Sequence, residues 1–600
     1  MIDTLSYFAV DFIHSLGVKK IFMVPGGGNM FLVDAVGRHK GIEVISTHNE
    51  QSAVIAAEAY SRIGNNLGVA LVTSGPGATN SVTGIAGAWF DSIPLLIISG
   101  QVKRKDIKKE NDVRQKGPQE IDIVSMVKNI TKYAKTIKCK KSFLQEFKKA
   151  VRIACSDRPG PVLLDIPLDL QAAPYQGKRF IKTKIDSLKT KKKIESSSLE
   201  LVINKIKNSR KPIFLLGQGI KSSNAVSIAK KLIQKSKVPF LLTWPMIDFL
   251  PFDHNLNMGR PGAVAKRFSN IIIQNCDLLI SIGARLDRVV TAHKPNNFAK
   301  RADVICIDID SNELKKHPKR FYKVKSDCKS FINALMKNCE FKNKNTEWHL
   351  ECKKVKNYFL KNEYKKNKKT SIYEVIDFLS EILPTNSIIA TGSSGLSIEA
   401  FYAHFLNKKH QKIFLTTGLG AMGYGFPSLV GINNLEKKLF LFESDGSAMM
   451  NLQELQTLKT INSKAKIFLI NNKGYASIRN TQRNYFQGRY VGTTISSGLE
   501  TPSISKLSKS LGINSFSCHN RQQMREIISA NINKNQLILF EIFVQENENL
   551  YPKCSTHDLK SGNFISAPIE DMSPLLSIDV LKKFTNNKID KLSERIRDEI

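Results

Sequence analysis

The sequence predicts an α/β protein built from three doubly wound parallel-sheet units, and three observations carry that reading. Its 600 residues exceed what a single core organises, so two to four domains are expected. Short apolar runs recur along the chain, each ending in a turn of Gly, Ser, Asp or Asn that leads into a helical pattern. Lysine-rich polar stretches divide these runs into three sets of similar size.

The first unit, residues 1–175, opens on an amphipathic helix, "MIDTLSYFAVDFIHSLGVKK", which lacks the basic and long apolar regions of a signal peptide. Its strands are read at "KKIFMV" before "PGGGN", "GVALVT" before "SGPGATN", and "PLLIIS" before "GQV". Residues 181–198 read as a linker. The second unit, 196–340, carries "PIFLLG", "PFLLT", "DLLISIG" and "VICIDID" as buried strands. A charged stretch near 340–370 reads as a second linker. The third unit, 370–550, holds "NSIIATG", "KKLFLFESDGS" and "AKIFLINNKG", with the second of these strands ending at Phe442, and a tail covers 551–600. Ligands of such sheets bind at the carboxyl ends of the strands, so the functional residues are expected just after the apolar runs.

Composition narrows the function classes. Apolar residues make up 42% and charged residues 24%, a globular balance, and no apolar run approaches the ~18 residues of a membrane span. Nine scattered cysteines without a CxxC fit reduced thiols in a cytoplasm rather than a disulfide frame or zinc site. The net charge of +37 invites a nucleic-acid reading. The lysines are instead spread over linkers and helix faces, with no RNA motif or zinc-finger spacing, so a solvated basic surface is expected and nucleic acid is not.

The chemistry concentrates in two places. In "SDGSAMMNLQELQTL", Asp445, Gly446 and Ser447 open a helix, where Gly446 permits close approach and Ser447 and the helix N–H groups suit a phosphate. Asp445 beside a phosphate needs a cation between them. After the next strand, "NNKGY" adds the amide of Asn472 and the carbonyl of Gly474, half of an octahedral oxygen shell for Mg2+. In the first unit, "HNEQSAVIAAEAYSR" places Glu50 at a helix start, where an isolated acid serves the helix dipole.

Together these segments resemble the thiamine-diphosphate-dependent 2-oxo-acid enzymes, and "GVALVTSGPGATNSVTGIAGAWFDSIPLLIISGQV" is most similar to the acetolactate synthase branch. Ser444 stands where the family has the first Gly of Gly-Asp-Gly, and Asn49 is inserted between His48 and Glu50. The resemblance implies thiamine diphosphate and Mg2+ as cofactors, with Asp445, Asn472 and Gly474 as metal ligands and Glu50 as the proton partner of the aminopyrimidine. It places "FxxPGG" (Phe22 to Gly27, with Pro25) and Gln119 beside the reacting carbons, and Asn80 in the pyrimidine pocket. Met422 would wedge the cofactor and the Gly420 carbonyl would accept from it, while Tyr475 is counted with the cofactor contacts. A homo-oligomer, dimer or tetramer, with sites between subunits is implied; a regulatory subunit is left open.

For the reaction, "ENDVRQKGPQE" lacks the histidine of aldehyde-releasing decarboxylases, which points to a carboligase. A 2-oxo acid, pyruvate in the first instance, would be decarboxylated and its acyl carbanion transferred to a second carbonyl. Thr481 and Pro118 replace a Trp and a Phe of the branch. Arg479, Arg483 and Arg489 either face a phosphorylated acceptor, such as a keto-sugar nucleotide, or form a solvated face. A 2-oxo-acid decarboxylase and a basic binding protein on an inherited scaffold complete the alternatives. "SIGARLDRVVT" resembles the segment that holds FAD in that branch, with Arg285 the matched contact; a flavin-free structural sheet is the equal alternative.

Overall fold

The computed structural model describes residues 3–64, 66–109, 113–175, 192–341, 346–360, 369–433, 437–558 and 564–599. Most of the expected 181–198 linker lies outside them. Three all-parallel sheets organise the chain. The first comprises β1 (Lys20–Met23), β2 (Glu43–Ser46), β3 (Gly68–Val72), β4 (Leu95–Gln101), β5 (Tyr133–Thr136) and β6 (Pro161–Pro167), in the order β2-β1-β3-β4-β6-β5. The second comprises β7 (Pro212–Leu216), β8 (Phe240–Leu242), β9 (Leu278–Ile282), β10 (Asp303–Asp308) and β11 (Tyr322–Lys325), in the order β11-β10-β9-β7-β8. The third comprises β12 (Ser387–Thr391), β13 (Lys412–Phe414), β14 (Lys438–Ser444), β15 (Lys466–Asn471), β16 (Asn514–Cys518) and β17 (Ile538–Phe543). Its order, β13-β12-β14-β15-β17-β16, repeats that of the first sheet.

Burial on both faces explains the continuous apolar runs: every residue of β3, β4, β6, β7, β9 and β15 is buried. The first and third sheets share one core through two helices, Glu50–Gly64 and Gly425–Gly431. The inserted Asn49 has a local role. Its side chain accepts the Gln51 N–H at 2.8 Å and its carbonyl accepts that of Ala53, so it caps the helix that begins at Glu50.

Three expectations are revised. β14 runs to Ser444, two residues past Phe442, because it pairs with β15 as far as Ser444 and Ile470. Within the charged stretch 340–370, Thr346–Phe359 is a helix rather than a linker. It buries Trp348, Cys352, Val355 and Phe359 against the middle sheet, and the Trp348 indole donates to the Pro212 carbonyl at 3.0 Å. The segment after 550 is not a loose tail: Ile569, Leu576, Val580 and Phe584 pack into that same core. Buried Arg267 donates to the Met572 carbonyl at 2.6 Å and to the Pro574 carbonyl, while Arg597 pairs with buried Asp571 at 2.6 Å.

Among the described residues no helix is long and apolar enough to cross a membrane. All nine cysteines are free, and seven are buried. Replacing Arg267 with Met keeps the stem but leaves two carbonyls unanswered. A loss of about 2–4 kcal/mol in urea unfolding is expected, together with early proteolysis after residue 574. An unchanged unfolding midpoint would mean that apolar contacts alone hold the segment.

Candidate active site

In the first and third sheets the strand order reverses beside the first strand of each, and ligands of doubly wound sheets lie at that point. In the first sheet the turns after β1 (Pro25 to Gly28) and β3 (Ser74 to Asn80) flank it; in the third, the turn after β14 brings Asp445 there.

Asp445 is fully buried at the end of β14. Its Oδ2 accepts the Gly474 N–H at 2.8 Å and the Thr501 hydroxyl at 3.3 Å. Its Oδ1 faces the Asn472 amide at 3.2 Å, and the same amide atom lies 2.8 Å from the Gly474 carbonyl. With the amide oxygen in that position, three oxygens converge at about the 2.9 Å edge of an octahedron of 2.0–2.1 Å Mg–O bonds. Turned over, the amide nitrogen would donate to both neighbours. The set therefore fits a hard dication, and it is the cation that makes the oxygen-inward orientation favourable. Gly474 can present its carbonyl there because its φ of 95° is open to glycine. Burial pushes the Asp445 carboxyl up to about 6, against the hydrogen bonds that lower it. A bound dication would hold it ionised.

Glu443, one residue before the DG turn, was not singled out by sequence. It is buried, accepts the N–H groups of Ser444 (2.8 Å) and Gly425 (3.1 Å), and is raised to about 7 by burial. A lone acid inside an apolar strand was the available signal. The Ser447 hydroxyl accepts the Gly423 N–H at 3.0 Å and bonds the Glu443 carboxylate, so it ties two loops together rather than pointing outward. Tyr475 packs its ring on Gly446. Among the described residues the buried Ser444 hydroxyl finds no hydrogen-bond partner.

In the first unit Glu50 is buried at the start of its helix, and the Asn80 amide donates to it at 3.0 Å. Pro25 and Gly27 are exposed on the adjoining turn. Gln119 is exposed, with φ +61, on a loop anchored by Gln101. The Gln101 amide donates to the Ile121 carbonyl at 2.9 Å and to buried Asp165 at 3.0 Å, and Asp165 also accepts from Thr136 at 2.9 Å. Burial raises Asp165 to about 7, against the hydrogen bonds from Gln101, Thr136 and Ser99 that lower it. Gly420 and Met422 are partly buried on the loop between β13 and helix Gly425–Gly431. Arg285 lies in the middle unit, donating to the Phe90 carbonyl at 2.9 Å.

Among the described residues no hydrogen bond joins the Glu50 group to the Asp445 group. Residues 110–112 of the histidine-free stretch lie outside the described residues. The arginines after the Asn pair are revised. Arg479 is buried, donating to the carbonyls of Asn472, Lys473 (2.7 Å), Thr493 (3.1 Å) and Glu546 (3.0 Å). Arg483 donates to the Asn547 carbonyl (3.2 Å) and to the side chains of Asn480 (2.7 Å) and Asn549. Both are spent inside the fold, and Arg479 holds the turn that carries Asn472; Arg489 is exposed.

Two repeated sheets, one offering a buried glutamate and the other a carboxylate, amide and carbonyl at the ends of neighbouring strands, fit an enzyme that holds a diphosphate cofactor. The chain matches the models of the thiamine pyrophosphate enzyme N-terminal TPP binding domain over residues 3–126, the central domain over 199–335 and the C-terminal TPP binding domain over 391–542. It is 29% identical over 552 residues to the acetolactate synthase isozyme 2 large subunit of Escherichia coli K12, covering 91% of this chain and 96% of that one. It is 30% identical over 558 residues to the acetolactate synthase large subunit of Porphyra purpurea (90% and 92%) and 29% over 551 residues to that of Lactococcus lactis (91% and 93%). The chain belongs to the thiamine pyrophosphate enzyme family. Within it, the protein is a thiamine-diphosphate-dependent carboligase of the acetolactate synthase-like branch.

Asp165 supplies a pH test of the loop that carries Gln119. Its folded value, about 7, lies above the ordinary 3.8, so its stabilisation is complete below about pH 4 and is lost as pH rises through about 7. Between pH 4 and 8 the wild type is expected to lose on the order of 3–4 kcal/mol more than Asp165→Asn in urea unfolding. Parallel pH profiles would mean that Asp165 is ionised throughout.

Proposed function

We propose that the enzyme decarboxylates pyruvate and joins its two-carbon acyl unit to a second 2-oxo acid, with Mg2+ held by Asp445, Asn472 and Gly474. The observation that supports this reading is the meeting of the buried Asp445 carboxylate, the Asn472 side-chain amide and the Gly474 carbonyl at two neighbouring strand ends, with the amide 3.2 and 2.8 Å from the other two. When bound, thiamine diphosphate supplies the electron sink that lets the carboxylate leave as CO2. The chain's own residues do the rest. Glu50, oriented by the Asn80 amide, holds a proton against the aminopyrimidine ring nitrogen. Gly420 and Met422 shape the opposite wall, and Gln119 with the exposed turn at Pro25 and Gly27 orients the substrates. With Arg479 and Arg483 committed to carbonyls and amides, exposed Arg489 alone of the three is left for a phosphorylated acceptor, which favours the small 2-oxo acid.

The Glu50 and Asp445 groups belong to different sheets, and a second copy of the chain would bring them together. Exposed Met30, Leu419, Met449 and Met450 beside the two groups support burial in such an oligomer. In the middle, a cavity of about 370 Å3 is lined by Gly219, Thr243, Gly283, Arg285 and Asp308. The Arg285 Nε lies 3.9 Å from the Glu313 carboxylate at the edge of this lining, and Asp308, raised by burial, is suited to accept from a ligand hydroxyl. That lining supports FAD as a structural cofactor, and visible flavin absorbance after FAD supplementation that is lost in Arg285→Ala would confirm it.

Purified protein with thiamine diphosphate, Mg2+ and pyruvate is expected to form acetolactate. Glu50→Gln should lower the rate by on the order of 100-fold or more. Mixing inactive Glu50→Gln and Asp445→Ala chains should restore about a quarter of the activity if each site takes one group from each chain. CO2 without acetolactate would reject the acceptor, and no rescue on mixing would reject the shared site.

A further inference from the structure

A chain of buried polar contacts lies between the first and third units, away from the turn that carries Asp445. Helix Glu50–Gly64 carries Glu58 and Arg62 one turn apart, and both are buried. Arg62 pairs with Glu58 and, across to helix Val82–Asp91, with Asp91. Asp91 also accepts three donors from the third unit: the Thr417 N–H at 2.9 Å, the Thr417 hydroxyl at 3.0 Å and the Gly418 N–H at 2.8 Å. Glu58 accepts the Tyr424 hydroxyl at 2.6 Å. The two carboxylates therefore grip one loop at both flanks, 417–418 and 424, and Gly420 and Met422 lie between the grips.

The same loop is fastened from its own unit. The Asn451 amide donates to the Gly423 carbonyl at 2.8 Å, and the Ser393 hydroxyl donates to the Ala421 carbonyl. These bonds fix the loop to the third unit; among the described residues, hydrogen bonds to Glu58 and Asp91 tie it to the first. Merely holding the two units together does not require them, since apolar side chains of similar volume would fill the interface without the cost of burying charge. What an apolar substitute cannot do is accept two backbone N–H groups and two hydroxyls at fixed points. Burial alone would raise Asp91, yet Arg62 and the loop donors hold it below the usual carboxylate range. It therefore stays an acceptor at every working pH. Glu58 is raised by burial despite Arg62 and Tyr424.

We propose that Glu58, Arg62 and Asp91 are positioning residues for the cofactor: through Thr417, Gly418 and Tyr424 they set the height of the Gly420–Met422 segment against the aminopyrimidine. This rests on the reading of Met422 as the residue that shapes the bound cofactor, and the test separates the two ideas.

Four proteins are compared as the full chain with Mg2+: Tyr424→Phe, which removes a single hydroxyl, Asp91→Asn, Met422→Ala, and the Asp91→Asn/Met422→Ala double variant. Thiamine diphosphate affinity is read by quenching of intrinsic fluorescence, turnover by kcat and KM for pyruvate, and folding by thermal melting. Tyr424→Phe and Asp91→Asn are expected to weaken cofactor affinity about 10-fold and lower kcat, with KM for pyruvate unchanged. The double variant should be no worse than about 2-fold below the poorer single variant, because both act through one loop. Multiplying effects in the double variant, or Tyr424→Phe and Asp91→Asn with wild-type cofactor affinity while Met422→Ala is impaired, would overturn the proposal. Wild-type affinity in Met422→Ala would overturn the reading beneath it. If Asp91→Asn does not fold, the same comparison made with Tyr424→Phe and its double variant decides.

Discussion

The arrangement depends on how closely two short helices approach. Helix Glu50–Gly64 packs on helix Gly425–Gly431 in a core rich in alanine (Ala53, Ala56, Ala57 and Ala59), and Gly431 lies so near the Ala56 carbonyl that a Cβ there would collide with backbone. Small residues on both sides let two sheets of identical strand order share one core. Once that distance is set, the polar contacts at its margin follow. His48 reaches Glu454 and Thr457 (3.1 and 2.9 Å), Ser52 reaches Asn451 (3.1 Å), and Asp91 reaches the loop of the opposite unit. The site is in this sense a product of helix packing, since the groups that do chemistry hang from elements whose spacing is fixed by alanines and a glycine.

Buried carboxylates around this core fall into two kinds, and what faces each one separates them. Asp91 is surrounded by donors from two units and stays ionised, which suits a structural acceptor. Asp445, Glu443 and Asp165 are raised toward neutrality because burial outweighs the hydrogen bonds they receive. For Asp445 the imbalance is one that a bound dication would offset. For Asp165 it marks a carboxyl that can keep a proton while its other oxygen anchors a loop. The same residue type therefore serves three purposes within one fold.

Much of this was legible in the sequence where chemistry is written locally. Asp445, Asn472 and Gly474 follow two successive strands, so spacing alone brought them to adjacent strand ends. Glu50 at a helix start was equally visible, though its partner Asn80 came only with the family resemblance. What stayed hidden depends on which face of an element meets another. Glu58 and Arg62 were not singled out, because an i,i+4 acid–base pair on a helix carries no sign of the second unit that covers it. Arg479 read either as a contact to a phosphorylated acceptor or as part of a solvated face, although its guanidinium closes four carbonyls of the loops around Asn472. In "TEWHLECKKVKNYF", a lysine-rich face masked the stripe of Trp348, Cys352, Val355 and Phe359, and a helix was taken for a linker.

The closure of the middle core by Ile569, Leu576, Val580 and Phe584 has a consequence for how the molecule is made. The second sheet and its helices are complete by Phe359, but the apolar strip that seals them is synthesised about 200 residues later. At ordinary elongation rates the unit waits roughly 10–40 s with that surface bare. The third unit, which needs nothing from the segment after 550 for its sheet, can form in that interval and pack on the first. Assembly would then run from the outer pair inward, with the centre of the chain finishing last.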